Sequence, residues 1–180
     1  MQKRSAGGVG MKRLVRPLLW GIFVVYCLVL INVLFIIRPV RPGLSYADYF
    51  REYTNFIPLK TIVDFARGFL TDIGWLPAED TVLPRGWLYY LVNLIGNFVL
   101  FLPMGLALPC LFKKSDRFWK VTLIVAGLVI LVELTQGLLR VGSIDVDDVI
   151  FNMCGGMLGY GVYKLLRIGG FWDKIGVCEC

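Results

Sequence analysis

Four apolar runs, Leu18–Ile37, Tyr89–Phe112, Phe118–Leu139 and Val146–Leu166, constrain this chain more than any other feature. Each approaches or exceeds the ~20 residues an α-helix needs to cross ~30 Å of hydrocarbon. Backbone polar groups in lipid must pair internally, so only helices and closed barrels span a bilayer, and no run shows the period-two alternation of a barrel strand. The expected fold is therefore all-α: a polytopic membrane protein with four transmembrane helices. A hydrophobic share of 57% and a mean hydropathy of +0.70 place the chain well outside soluble domains. The first run is longer than a secretory h-region, and RPVRPGLS after it offers no A-x-A cleavage site, so it reads as an uncleaved anchor.

Orientation follows from the basic residues. Twelve of the 19 Lys and Arg residues precede the first run, lie between the second and third, or follow the fourth. The other seven are Arg38, Arg41, Arg51, Lys60, Arg67, Arg85 and Arg140. This asymmetry predicts cytoplasmic termini in a bacterial cytoplasmic membrane and an outer loop between the first two spans. The organisation expected is a basic cytoplasmic segment over 1–17, a single four-helix membrane domain over 18–167 with its outer loop at 38–88, and a short cytoplasmic tail over 168–180. The net charge of +6 is absorbed by this topology, leaving no basic face for nucleic acid.

Absent residue types narrow the chemistry. The chain contains no histidine, which excludes imidazole acid–base chemistry and imidazole metal ligation. Of its five cysteines, Cys27 and Cys154 lie within spans, Cys110 sits near a cytoplasmic helix end, and Cys178 and Cys180 fall in a reducing compartment, so no disulfide framework is expected. Carboxylates, amides, Arg, Tyr and hydroxyls remain.

The outer loop is too short and too apolar to form a domain with its own core. Within it, TIVDFARGFLTDIGWLP spaces Ile62, Phe65, Phe69, Ile73 and Leu76 on one helical face with Asp64, Arg67 and Thr71 opposite. This predicts an interfacial amphipathic helix ending at Pro77, or a short helix packed on the bundle top.

Polar residues inside the spans are the candidate site. Glu133, Gln136 and Arg140 share a face of the third helix at i, i+3, i+7, and Asp145, Asp148 and Asn152 repeat that spacing on the fourth. Asn93 and Asn97 follow at i, i+4 on the second. At 1.5 Å per residue, Asn97, Glu133 and Asn152 all fall roughly 9–12 Å below the outer surface. A charge at a helix centre costs roughly 2.5–3.5 kcal/mol on insertion scales, so these groups should face one another in one outward-open pocket. Simpler roles compete with this. Asp145 and its neighbours stand where acids cap a helix and meet its positive dipole end, and the stripes could hold the bundle together by interhelical hydrogen bonds. Gly155, Gly156 and Gly159 are expected to let helices approach, while Pro103, Gly105 and Pro109 should bend the second helix and widen the inner half of the bundle.

The ordered set NFIPLKTI, NLIGNFVLFLPMGLALP, ELTQ and DVDDVIFNMCGGMLG resembles the VanZ-like membrane proteins, from about Asn55 to Tyr163. The resemblance implies motif roles for Asn97, Pro103, Gly105, Glu133, Gln136, Asp145, Asp148, Asn152, Gly155, Gly156 and Gly159. It also implies an association with reduced sensitivity to teicoplanin-type lipoglycopeptides.

Two functional expectations follow. In the first, Asn93, Asn97, Glu133, Gln136, Arg140, Asp145, Asp148 and Asn152 bind the head group of an envelope lipid or a lipid-linked peptidoglycan precursor, with Arg140 on phosphate. In the second, Glu133, Asp145 and Asp148 are catalytic, as acid and base or as ligands of a divalent cation, and modify that head group. An ion pathway is disfavoured by the apolar VTLIVAGLVILV below Glu133.

Overall fold

The computed structural model describes residues 7–77, 86–112 and 116–172. The elements run α1 (Gly7–Ile31) with a π-helical turn (Asn32–Ile36), α2 (Tyr46–Glu52), β1 (Thr54–Asn55), α3 (Lys60–Asp72), α4 (Trp87–Leu111), α5 (Phe118–Leu139), β2 (Ile144–Asp145) and α6 (Val146–Ile168). Four segments are long and apolar enough to cross a membrane: Leu14–Ile36, Trp87–Leu111, Phe118–Leu139 and Val146–Ile168. The expected spans are all present, each within a few residues of its predicted bounds. The chain is an all-α, multi-pass membrane protein.

Helices α4 and α6 form the closest pair, and small residues are the reason. A side chain at Gly155 would collide with the Phe98 carbonyl, at Gly159 with the Leu102 carbonyl, and at Gly105 with the Gly156 carbonyl. The backbones therefore touch along several turns, as small residues allow in membrane helices. On the α6 side the contact is closed, with Met104, Gly105, Leu108 and Pro109 buried and α4 helical through Leu111, while on the α1 side Pro103, Leu106 and Cys110 line an apolar cavity of about 140 Å³. Pro103 points away from the core. Gly156 also receives Val125 of α5, and Phe101, Val121, Val125, Val129 and Tyr163 complete an apolar core.

At one end of the bundle, Asp116 accepts from Lys164 Nζ at 3.2 Å and from Arg167, while Trp172 Nε1 donates to the Tyr163 carbonyl at 3.0 Å. The start of the expected tail thus folds back on α6. Cys178 and Cys180 lie outside the described residues.

The opposite end carries the 38–77 segment, and the α5–α6 connection is stitched into it. Strands β1 and β2 pair in parallel, Thr54 opposite Ile144 and Asn55 opposite Asp145, while Val40 bridges Val141. Arg41 N donates to the Arg140 carbonyl at 3.1 Å, and Gly142 N to the Pro39 carbonyl at 3.1 Å. Helix α3 runs where the amphipathic pattern placed it but ends before Pro77. Gly74, at φ +79°, closes a Schellman turn in which Gly74 N reaches the Thr71 carbonyl and Trp75 N the Leu70 carbonyl. Its polar edge faces the bundle, with Thr61 and Asp64 buried, and its stripe of Ile62, Phe69 and Ile73 faces outward.

Candidate functional site

The four-residue run DVDD performs three separate tasks at this end of the bundle. Asp145 is the N-cap of α6, its Oδ1 accepting from Asp147 N at 2.9 Å and from Asn55 Nδ2 at 2.9 Å. Burial pushes the Asp145 carboxyl above its ordinary range, against those two hydrogen bonds. Asp147, fully buried, caps a different helix: its carboxylate accepts Leu59 N at 2.5 Å and Thr61 N at 2.7 Å, the donors that open α3. That grip holds Leu59 at φ 63°, a left-handed conformation costly for a residue bearing a Cβ.

Asp148 is the centre of the site. Its Oδ1 accepts from Asn93 Nδ2 at 3.0 Å and from Asn97 Nδ2, and its Oδ2 lies 3.6 Å from Arg38 Nη1. Only 2% of the Asp148 side chain is exposed, so the two amides and the guanidinium replace water around a buried carboxylate. The other stripe residues divide between this hub and other parts of the fold. Glu133 is buried, and its Oε2 accepts the backbone N–H of Asp145 at 3.2 Å. The charges of Asp148, Asp145 and Arg38 all reach it. Gln136 turns toward α1, where its Nε2 donates at 2.8 Å to Leu34, a carbonyl in the last turn of that helix. Asn152 is buried one turn below Asp148, and its Oδ1 has no partner among the described residues.

Arg140 departs from the expectation. It is the C-cap of α5 at φ 53°, and its guanidinium donates to the Leu44 carbonyl and lies 4.7 Å from the Tyr46 ring. The cation that reaches both Asp148 and Glu133 among the described residues is Arg38, which the sequence marks only as a topology signal. Asp147 and Asn55 were missed as well, because their partners come from segments distant in sequence.

Two adjoining cavities flank this network. The larger, about 600 Å³, lies between β1, the start of α3 and the top of α4, and is lined in part by Lys60, Tyr90, Asn93 and Asp145. The smaller, about 260 Å³, is lined by Arg38, Arg41, Tyr53, Tyr89 and Asn93, with no Asp or Glu among its described lining residues. Tyr53, Tyr89, Asn93 and Ser143 border both. The Arg41 guanidinium lies 3.9 Å from the Tyr53 ring centre, a cation–π contact that fixes its donor edge. Among the described residues no three of Asp, Glu and Cys converge as a metal site.

The profile of the VanZ/LLP1 family matches residues 23–167, which includes every element of this site. The chain belongs to the VanZ/LLP1 family. Among curated proteins, the VanZ/LLP1 chain described here is similar to Protein VanZ of Enterococcus faecium, at 35% identity over 73 residues. That alignment covers 41% of this chain and 45% of the relative, so the chain spans less than half the length of the curated protein it matches. No solved structure matches this VanZ/LLP1 chain.

Proposed function

We propose that this VanZ/LLP1 protein uses its polar pocket to engage the head group of an envelope lipid or a lipid-linked cell-wall precursor, and thereby lowers sensitivity to teicoplanin-type lipoglycopeptides. The observation that carries the reading is the pair of adjoining cavities above a carboxylate held by Asn93, Asn97 and Arg38. Amides and hydroxyls there suit sugar or peptide groups, and fixed arginines suit phosphate. Arg38 and Arg41 take the phosphate-facing part first expected of Arg140.

In this reading the site faces outward from a bacterial cytoplasmic membrane and the termini are cytoplasmic. Cysteine replacing the exposed Gly43, where a Cβ meets nothing within 4 Å, in a variant whose five native cysteines are replaced by serine, should react with an impermeant reagent in intact cells. Cysteine replacing Ser115, which lies outside the described residues, should react only after lysis in this topology. The opposite pattern reverses the topology and removes the pocket from the envelope side.

The function itself is tested with matched strains that carry or lack the protein. Protein purified in mild detergent should retain lipids with phosphate-bearing head groups in excess of their share of the membrane, and the strain lacking it should be more sensitive to teicoplanin. Unchanged sensitivity together with unselective lipid retention defeats the proposal.

A further inference from the structure

An apolar groove of about 440 Å³ runs along the lipid-facing side of the bundle between the end of α1 and α4, lined by Val33, Val92, Gly96, Val99 and Leu100 among others. Its position relative to the arginine-lined cavity follows from helical spacing. Val33 lies one turn below Ile37, which lines that cavity, and Gly96 lies one turn below Asn93, which lines it too. From Asn93 to Leu100 the path descends roughly 10 Å into the membrane-spanning part of α4. It closes where Tyr26 Oη donates to the Leu100 carbonyl at 2.6 Å and draws α1 against α4. Gly96 keeps the groove open, since a side chain there would meet nothing within 4 Å.

We propose that cavity and groove form one site for a single amphiphile: its phosphate between Arg38 and Arg41, and its hydrocarbon chain in the α1–α4 groove. This rests on the head-group reading above and specifies the ligand as a chain-bearing phosphate that enters sideways from the lipid. Charge complementarity selects the head. The smaller cavity carries two guanidiniums and no described acidic lining residue, and the Arg38 contact with Asp148, at 3.6 Å, is loose enough to be shared with an anion. Proximity selects the tail, because an apolar groove whose Val33 and Gly96 lie one turn from Ile37 and Asn93 of the cationic pocket matches an amphiphile and serves no purpose for a free anion.

The test uses the full chain in phosphatidylcholine nanodiscs, with farnesyl phosphate, inorganic phosphate and farnesol as probes and native mass spectrometry as the readout. Farnesyl phosphate should bind at least about tenfold more tightly than either other probe. Gly96→Leu, whose Cβ meets nothing within 4 Å and whose longer side chain occupies the groove, should weaken farnesyl phosphate about tenfold and leave inorganic phosphate unchanged. Gly96→Ala should retain binding, which excludes a helix effect. Arg38→Gln should weaken both phosphates. If farnesyl phosphate binds the wild type and Gly96→Leu equally well, the groove assignment is overturned while the head-group reading stands. If neither phosphate binds the wild type, both fall.

Discussion

Arg38 and Asp148 approach to 3.6 Å although one follows the first span and the other opens the last. Their contact ties the long loop segment to α6 at the level of the two asparagines. Because Asp148 is 2% exposed, losing the cation leaves a buried charge with only amide donors.

Breaking that pair from either side should therefore be costly. Arg38→Gln or Asp148→Asn should each destabilise the protein by about 3 kcal/mol, the scale for orphaning one member of a buried pair. The double substitution should cost less than the two singles together, since it removes both charges. Thermal unfolding in detergent completes the cycle. Additive losses would show that the pair does not act as a unit.

The glycine pattern predicts opposite outcomes for one chemical change. Gly159→Leu drives a side chain into the Leu102 carbonyl and should cost roughly 3 kcal/mol or more, with a marked fall in membrane abundance. Gly127→Leu adds the same atoms on an exposed face of α5 where nothing lies within 4 Å. It should be neutral, or stabilising by up to about 1 kcal/mol through helix propensity. Equal effects would contradict the α4–α6 packing.

Residues whose partners face them from another span were legible in the sequence, whereas those whose partners depend on the path of the loop were not. The four spans declare themselves through composition, and the 3.6-residue period placed Asp148, Asn93 and Asn97 on facing stripes. Extrapolating the same period to Arg140 failed because the chain leaves the helix there, turning left-handed at the C-cap and carrying the guanidinium to Leu44 and Tyr46. Arg38 could not be assigned to Asp148 without knowing that the loop folds back over the bundle. Asp147 resembled any acid near a helix start until its two backbone partners from α3 were seen. Gly74 was a readable stop signal, and Pro77 was given its role.

At the opposite end, Asp116 provides a pH test. Burial pushes its carboxyl up, but the hydrogen bonds from Arg167 and Lys164 outweigh burial and hold it below its ordinary range. The stability it contributes is fully present above its unfolded value of about 3.9 and is lost as pH falls through the lower folded value. The group is 36% exposed, so solvent screening should keep its share under about 1 kcal/mol. Unfolding temperatures of wild type and Asp116→Asn should differ at pH 6 and converge as the pH drops below 4. A constant gap over that range would assign the contact no electrostatic role.

Glu133 separates function from structure. Its Oε2 accepts one backbone N–H from Asp145, and a glutamine oxygen at the same place can accept that bond. Glu133→Gln should therefore leave unfolding within about 1 kcal/mol of wild type, and removing a desolvated charge could even stabilise the bundle. What it removes is a titratable carboxyl that interacts with Arg38 and Asp148, where a phosphate-bearing head group is proposed to sit. If the carboxylate sets the charge balance of that pocket, the variant should reach normal membrane abundance yet fail to restore teicoplanin tolerance to a strain lacking the protein. Gly159→Leu in the same strain supplies the contrast, losing tolerance together with abundance. Complementation by Glu133→Gln at wild-type level and normal abundance would reduce this carboxylate to an α5–α6 tether, and the pocket chemistry would then rest on Arg38, Asp148 and the two asparagines alone.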